Sequence, residues 1–230
     1  MSKNVCLLVT ITVSLLVATV TTASDVLFVE ALRNYDKKGV LGETFRRELE
    51  TRMFTHAAWH QRLYINTYNP SKDETLEVYS KPDGSRWLSF KRAAPSLSQP
   101  ILDRIWLGQK FDLKKELDAS RVTTAEVELS RDVASQIELL WQAMLPGPSK
   151  QPEARGLYMD APVFIAFARQ NESVKTGTMA FAAYHTPAYE EFVDIVNDLM
   201  KTSEGRDSRS NQPQRLSSKI RHLTAKLTTK

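Results

Sequence analysis

The sequence predicts an α+β fold: a mostly antiparallel sheet with helices packed on one face. Three observations predict it. Apolar residues alternate with a period of two through residues 59–92, broken twice by turn chemistry. A clean amphipathic stripe follows Ser130. A second strand–strand–helix pattern then fills residues 156–201. Runs of strands followed by helices argue against a doubly wound parallel sheet.

The elements follow in order. Residues 25–58 read as two short helices with a break at Lys37–Gly42. The second places Phe45, Leu49 and Met53 on one stripe, with charges opposite. In Trp59–Tyr68 the residues Trp59, Leu63 and Ile65 share one face, and Arg62, Tyr64, Asn66 and Tyr68 share the other. Turns at Asn69–Asp73 and Lys81–Ser85 divide the stretch into a three-stranded meander, and the Asp83-Gly84 pair marks a hairpin. Ile101 to Leu107 suits a short helix, and Val122–Leu129 a strand.

Ser130 caps the next helix. Val133, Ile137, Leu140, Trp141 and Met144 line it, and Pro146-Gly147-Pro148 ends it. Gly156–Arg169 and Thr178–Tyr184 read as paired strands with a polar turn at 170–177 between them. Thr186-Pro187 opens a helix over Ala188–Lys201, since proline is tolerated in a first helical turn.

Domain organisation follows from composition. Residues 1–4 carry Lys3, residues 5–20 are uncharged and mostly apolar, and Thr21-Thr22-Ala23 is a run of small residues. This is the design of a secretory signal, predicted over 1–23 with cleavage at Ala23 or Ser24. The apolar run is shorter than the about 20 residues that a spanning helix needs. Residues 24–202 form one predicted globular domain. Residues 203–230 hold seven Lys or Arg against two acids, more than the +4 of the whole chain. They read as a basic, largely disordered tail. Within it Leu216, Ile220, Leu223 and Leu227 recur at helical spacing, beside Lys219, Arg221 and Lys226. These three cations are the candidate contacts to an anionic surface or a protein partner, with membrane contact at most peripheral.

The chemistry excluded is broad. The single cysteine, Cys6, lies in the predicted leader, so the mature chain has no disulfide and no thiolate metal site. Gly-rich phosphate loops are absent, so no nucleotide cofactor is expected, and nucleic acid is not an expected partner for an exported chain. His56 and His60 are four apart, but the position after His56 is Ala57 where the zinc-protease pattern needs glutamate, and no metal is expected. His185 and Asp160, with His60, are the candidate catalytic groups of a site assembled from distant residues. No nucleophile elbow surrounds any serine. The aromatic residues Tyr64, Tyr68, Tyr79, Trp87 and Phe90 suit either a binding face or packing beneath helices. Asn171-Glu172-Ser173 is a glycosylation sequon in a polar turn. The leading expectation is an exported, periplasmic or secreted, non-catalytic binding protein without cofactors. The alternative is a periplasmic or extracellular hydrolase.

Overall fold

A computed structural model describes residues 28–30, 42–67, 72–97, 99–145, 162–179, 186–206 and 212–229. The predicted leader at 1–23 lies outside them, as do Asp160 and His185. The elements are β1 (Phe28–Glu30), α1 (Gly42–Met53), β2 (Trp59–Thr67), β3 (Lys72–Ser80), β4 (Arg86–Ala94), α2 (Gln99–Trp106), α3 (Leu113–Asp118) and β5 (Arg121–Leu129). There follow α4 (Arg131–Met144), β6 (Val163–Gln170), β7 (Ser173–Met179), α5 (Pro187–Ser203) and α6 (Gln212–Thr228).

Six long strands and the three-residue β1 make one sheet in the order β1-β7-β6-β2-β3-β4-β5, with every pairing antiparallel. The fold class is therefore α+β. The predicted meander is β2–β3–β4, and β5 extends it after the insertion of α2 and α3. The β6–β7 hairpin returns to the other side of β2, where Ile65 faces Phe164. At the β3–β4 turn Gly84 adopts φ of +82°, and the Asp83 carboxylate accepts from the backbone N–H and the hydroxyl of Ser85. The Asp-Gly signal thus corresponds to a physical need for a left-handed residue.

The pleat separates two faces. Leu63, Ile65, Leu76, Val78, Leu88, Phe90, Phe164 and Ala166 project to one of them, where Ile137, Leu140, Trp141, Phe192, Ile195 and Leu199 of α4 and α5 complete the main core. Each strand sends alternate side chains there because its period is two. Both helices begin as their sequences require. The Ser130 hydroxyl accepts from the Val133 N–H, and the Thr186 hydroxyl accepts from the Tyr189 N–H with Pro187 in the first turn.

Four expectations need correction. First, helices occupy both faces. Met53, Ala93, Leu97, Ile101 and Leu117 form a second, smaller core through which α1, α2 and α3 cover the opposite face near β4. Residues 93–120 carry too little periodicity to reveal that layer. Second, Phe28–Glu30 is a strand on the outer edge of β7 and not part of a helix. A short apolar run does not distinguish the two states.

Third, β7 begins at Ser173, because the turn is only Asn171-Glu172, with Asn171 at φ of +55°. The polar character of residues 173–177 reflects exposure at a sheet margin, not a loop; residues 180–185 lie outside the described set. Asn171, the sequon residue, is exposed at that hairpin tip.

Fourth, the C-terminal segment is largely ordered. Residues 207–211 lie outside the described residues, but α6 spans Gln212–Thr228 and buries Leu216, Ile220, Leu223 and Leu227 against α4 and α5. The Ser217 hydroxyl donates to Asp132 at 2.7 Å, tying α6 to the first turn of α4. Tail polarity reads as disorder only while the acidic face of α5 is left out of account. The Lys219 ammonium donates to Asp194 at 2.7 Å and Asp198 at 2.6 Å, and Lys226 donates to Glu191 at 3.0 Å.

Candidate functional site

Two polar assemblies lie on the sheet, one on each face. The first is a cleft of about 590 Å³ on the main-core face, between the β3–β4 turn and α4. Its floor is Gln61, Val78, Leu129 and Ala134, all buried. Ser85 and Arg86 form a half-buried wall, and Asp83, Glu128, Arg131, Ser135 and Glu138 form an exposed rim. The local fold explains the placement. Arg86 opens β4 opposite Ser80, and Arg131 opens α4 one residue after its cap. Hence the cleft gathers the ends of two strands and the start of a helix.

Among the described residues, neither Arg86 nor Arg131 is in an ion pair. Gln61, a residue 5% exposed, likewise has no side-chain hydrogen bond among them, and its amide is not one of the atoms wholly cut off from solvent. An amide without a protein partner that lines a cleft keeps its hydrogen-bonding capacity for whatever enters.

His60 stands beside this cleft. Its Nε2 lies 2.8 Å from the Ser80 hydroxyl across the β2–β3 pair. Burial is the main cause holding its pKa below the ordinary 6.5, and the charge of Arg86 adds to it; Glu138 opposes and Arg169 reinforces. The ring is therefore neutral at pH 7, and its tautomer decides whether Nε2 accepts from the serine or donates to it. The sign for stability follows. As pH falls below 6.5 the unfolded chain takes up this proton before the folded chain does, so stability falls, and it levels off once the folded ring is also protonated. An imidazole titration followed by NMR should give His60 a midpoint below 6.5. A midpoint at or above 6.5 would overturn the electrostatic description of this cleft.

The second assembly lies on the opposite face. Register places Arg62, Glu77, Ser89 and Glu126 in one row across β2, β3, β4 and β5. His56, in the connection from α1 to β2, lies over that row. Its Nδ1 is 2.8 Å from Glu77 and its Nε2 is 3.1 Å from Glu126. The imidazole stacks on Tyr79 with centroids 3.6 Å apart and planes 11° apart. Arg62 donates through Nε to Glu77 at 2.9 Å, holds an Nη 2.8 Å from the same carboxylate and donates through it to the His56 carbonyl at 3.2 Å, while its guanidinium covers Phe54 and Trp59. Lys91, 5% exposed, donates to the Thr55 hydroxyl at 2.6 Å.

Energetically this is a buried charge network. Glu77 is 1% exposed, accepts from Arg62, lies 2.8 Å from the His56 Nδ1, and is ion-paired with the guanidinium. Burial, then Glu126 and Glu77, push the Tyr79 phenol up to about 12. Burial also lowers the pKa of Lys91. A general base needs a ring nitrogen facing a substrate. Both nitrogens of His56 are committed to carboxylates, so the geometry suits an anchor for residues 54–58 and not a catalytic centre.

The predicted site residues fall in different places. His60 borders the cleft, whereas His185 and Asp160 lie outside the described residues. His56 and His60 sit on different elements, and no group of three or more potential metal ligands occurs among the described residues. Lys219 and Lys226 are engaged with α5, and Arg221 is exposed. Of the aromatic set, Tyr64, Tyr79 and Phe90 are buried, and Trp87 is half-buried under Lys81; Tyr68 lies outside the described residues. Sequence reasoning missed Gln61, Arg86 and Arg131 as a group. Their only signal was position at element ends, which carries meaning once the register is known. No protein-family model, no curated protein and no solved structure matches the chain.

Proposed function

We propose that the chain is an exported binding protein whose cleft takes a small polar ligand bearing a carboxylate or a comparable anionic group. The observation that carries this reading is the half-buried Arg86, in no ion pair among the described residues, beside Gln61, with Arg131 at the rim. A guanidinium offers a planar fork of donors matched to a carboxylate. The amide supplies a donor and an acceptor for the rest of the ligand. Export is supported by the pattern of residues 1–23.

The test uses protein recovered from the exported fraction of expressing cells, where an N-terminus near Ser24 is expected. Small carboxylates, phosphates and neutral sugars are screened by calorimetric titration. An anionic ligand should bind, and Arg86→Gln should weaken it by roughly ten- to a hundredfold, the range of a charge-assisted hydrogen bond. Retention in the cytoplasm, or equal affinity in the variant, would sink the reading.

One observation favours a second reading, a hydrolase. The His60–Ser80 pair has the reach of a base and a nucleophile, at the border of the cleft. A serine-directed phosphonate probe should then label Ser80, and His60→Gln should abolish the labelling.

A further inference from the structure

We propose that the loop joining α2 to α3 docks on an anionic lipid surface. Every residue from Leu107 to Asp112 is exposed. Two of them are large and apolar: Leu107 is 70% exposed and Phe111 36%. Gly108, at φ of +63°, ends α2 and turns the chain out of the helix. Single exposed apolar residues are ordinary. What distinguishes this pair is the charge around it.

The nearby acids are already engaged. The Asp112 carboxylate accepts from the backbone N–H groups of Lys114 and Lys115, capping α3. Glu116 is paired with Arg104 at 2.8 Å, and Asp118 with Arg52 at 2.6 Å. Lys110, Lys114 and Lys115 are exposed and form no ion pair among the described residues. The segment therefore presents two apolar side chains beside three ammonium groups that have no ion pair among the described residues. An interfacial lipid layer satisfies both, since its acyl boundary takes the apolar groups and its headgroup charge takes the lysines. A protein groove would have to supply acids in register with all three lysines, whereas anionic headgroups supply them at any register. This surface is independent of the cleft. It also differs from Lys219 and Lys226, which the fold uses internally.

The test is hydrogen exchange on the full chain, mixed with vesicles of phosphatidylglycerol and phosphatidylcholine or of phosphatidylcholine alone. Reading the amides of 107–112 separates the loop from any binding by residues 1–23. These amides should gain protection on the anionic vesicles only, and lose it as salt is raised. Replacing Lys110, Lys114 and Lys115 by Gln should weaken vesicle affinity on the order of a hundredfold, about fivefold for each lysine, the equivalent of ~1 kcal/mol. Leu107→Ser with Phe111→Ser should weaken it as well, and neither variant should move the thermal midpoint, since all five side chains are exposed. No protection, equal protection on neutral vesicles, or protection that grows with protein concentration without lipid would overturn the proposal, the last pointing to a second copy.

Discussion

A chain ended after Arg206 should lose its native fold. The deletion removes α6 and, with it, Leu216, Ile220, Leu223 and Leu227 from the main core. Burying one such side chain is worth about 1.5–3 kcal/mol, so the four together contribute roughly 6–12 kcal/mol. A domain of this size is typically stable by only about 5–15 kcal/mol. The deletion also bares the facing surfaces of α4 and α5 and leaves Asp194 and Asp198 without Lys219. The pair with Asp194 is worth little, since that carboxylate is largely solvated, and the deletion itself opens the buried Asp198 to water, so the loss is chiefly apolar. Near-ultraviolet circular dichroism and a urea titration check this. The shortened chain should show no cooperative transition and should bind a hydrophobic dye. A sharp transition with an unchanged midpoint would show that α6 merely decorates the surface. Ile220→Ala in the full chain provides a graded version, with an expected loss of about 2–5 kcal/mol.

The second large effect is expected at Glu77. Its carboxylate, 1% exposed, is the shared acceptor of Arg62 and His56. Glu77→Ala leaves the Arg62 guanidinium half-buried without its counter-charge and frees one nitrogen of His56. Breaking a buried pair on one side costs about 3–5 kcal/mol, most of it the penalty of the orphaned charge. Glu77→Gln keeps an acceptor for the Arg62 N–H and should cost less. Urea midpoints give the ordering. Amide spectra should show the change concentrated in residues 54–58, which the network pins to the sheet. A loss in the alanine variant below about 1 kcal/mol would mean that water already compensates these charges.

Elements whose pattern is local were legible in the sequence. The hairpin at Asp83-Gly84 follows from one residue needing positive φ, and α4 follows from its cap and its stripe. Wherever assignment depended on a distant partner, the sequence was silent or misleading. The leucine spacing of α6 was visible, but its destination was not, because the acids that receive Lys219 and Lys226 lie on α5. The row from Arg62 to Glu126 unites side chains from four strands, and only register reveals it. The cleft is similar: Gln61 lies in a strand interior, Arg86 at a strand start and Arg131 at a helix start, and none is unusual alone. His60 was singled out for its spacing to His56, yet its nearest polar partner proved to be Ser80.

The pairing of Ile65 with Phe164 also bears on the order of events in the life of the chain. Strand β2 sits in the middle of the sheet, but its second neighbour is made about 100 residues later, and the core is closed only by the last helix. Local hairpins can form as the chain lengthens, whereas contacts this far apart wait on the slow closure of a long loop. A nascent chain emerging from the ribosome therefore carries half a sheet with one bare central edge until Val163–Gln170 have emerged to cover it.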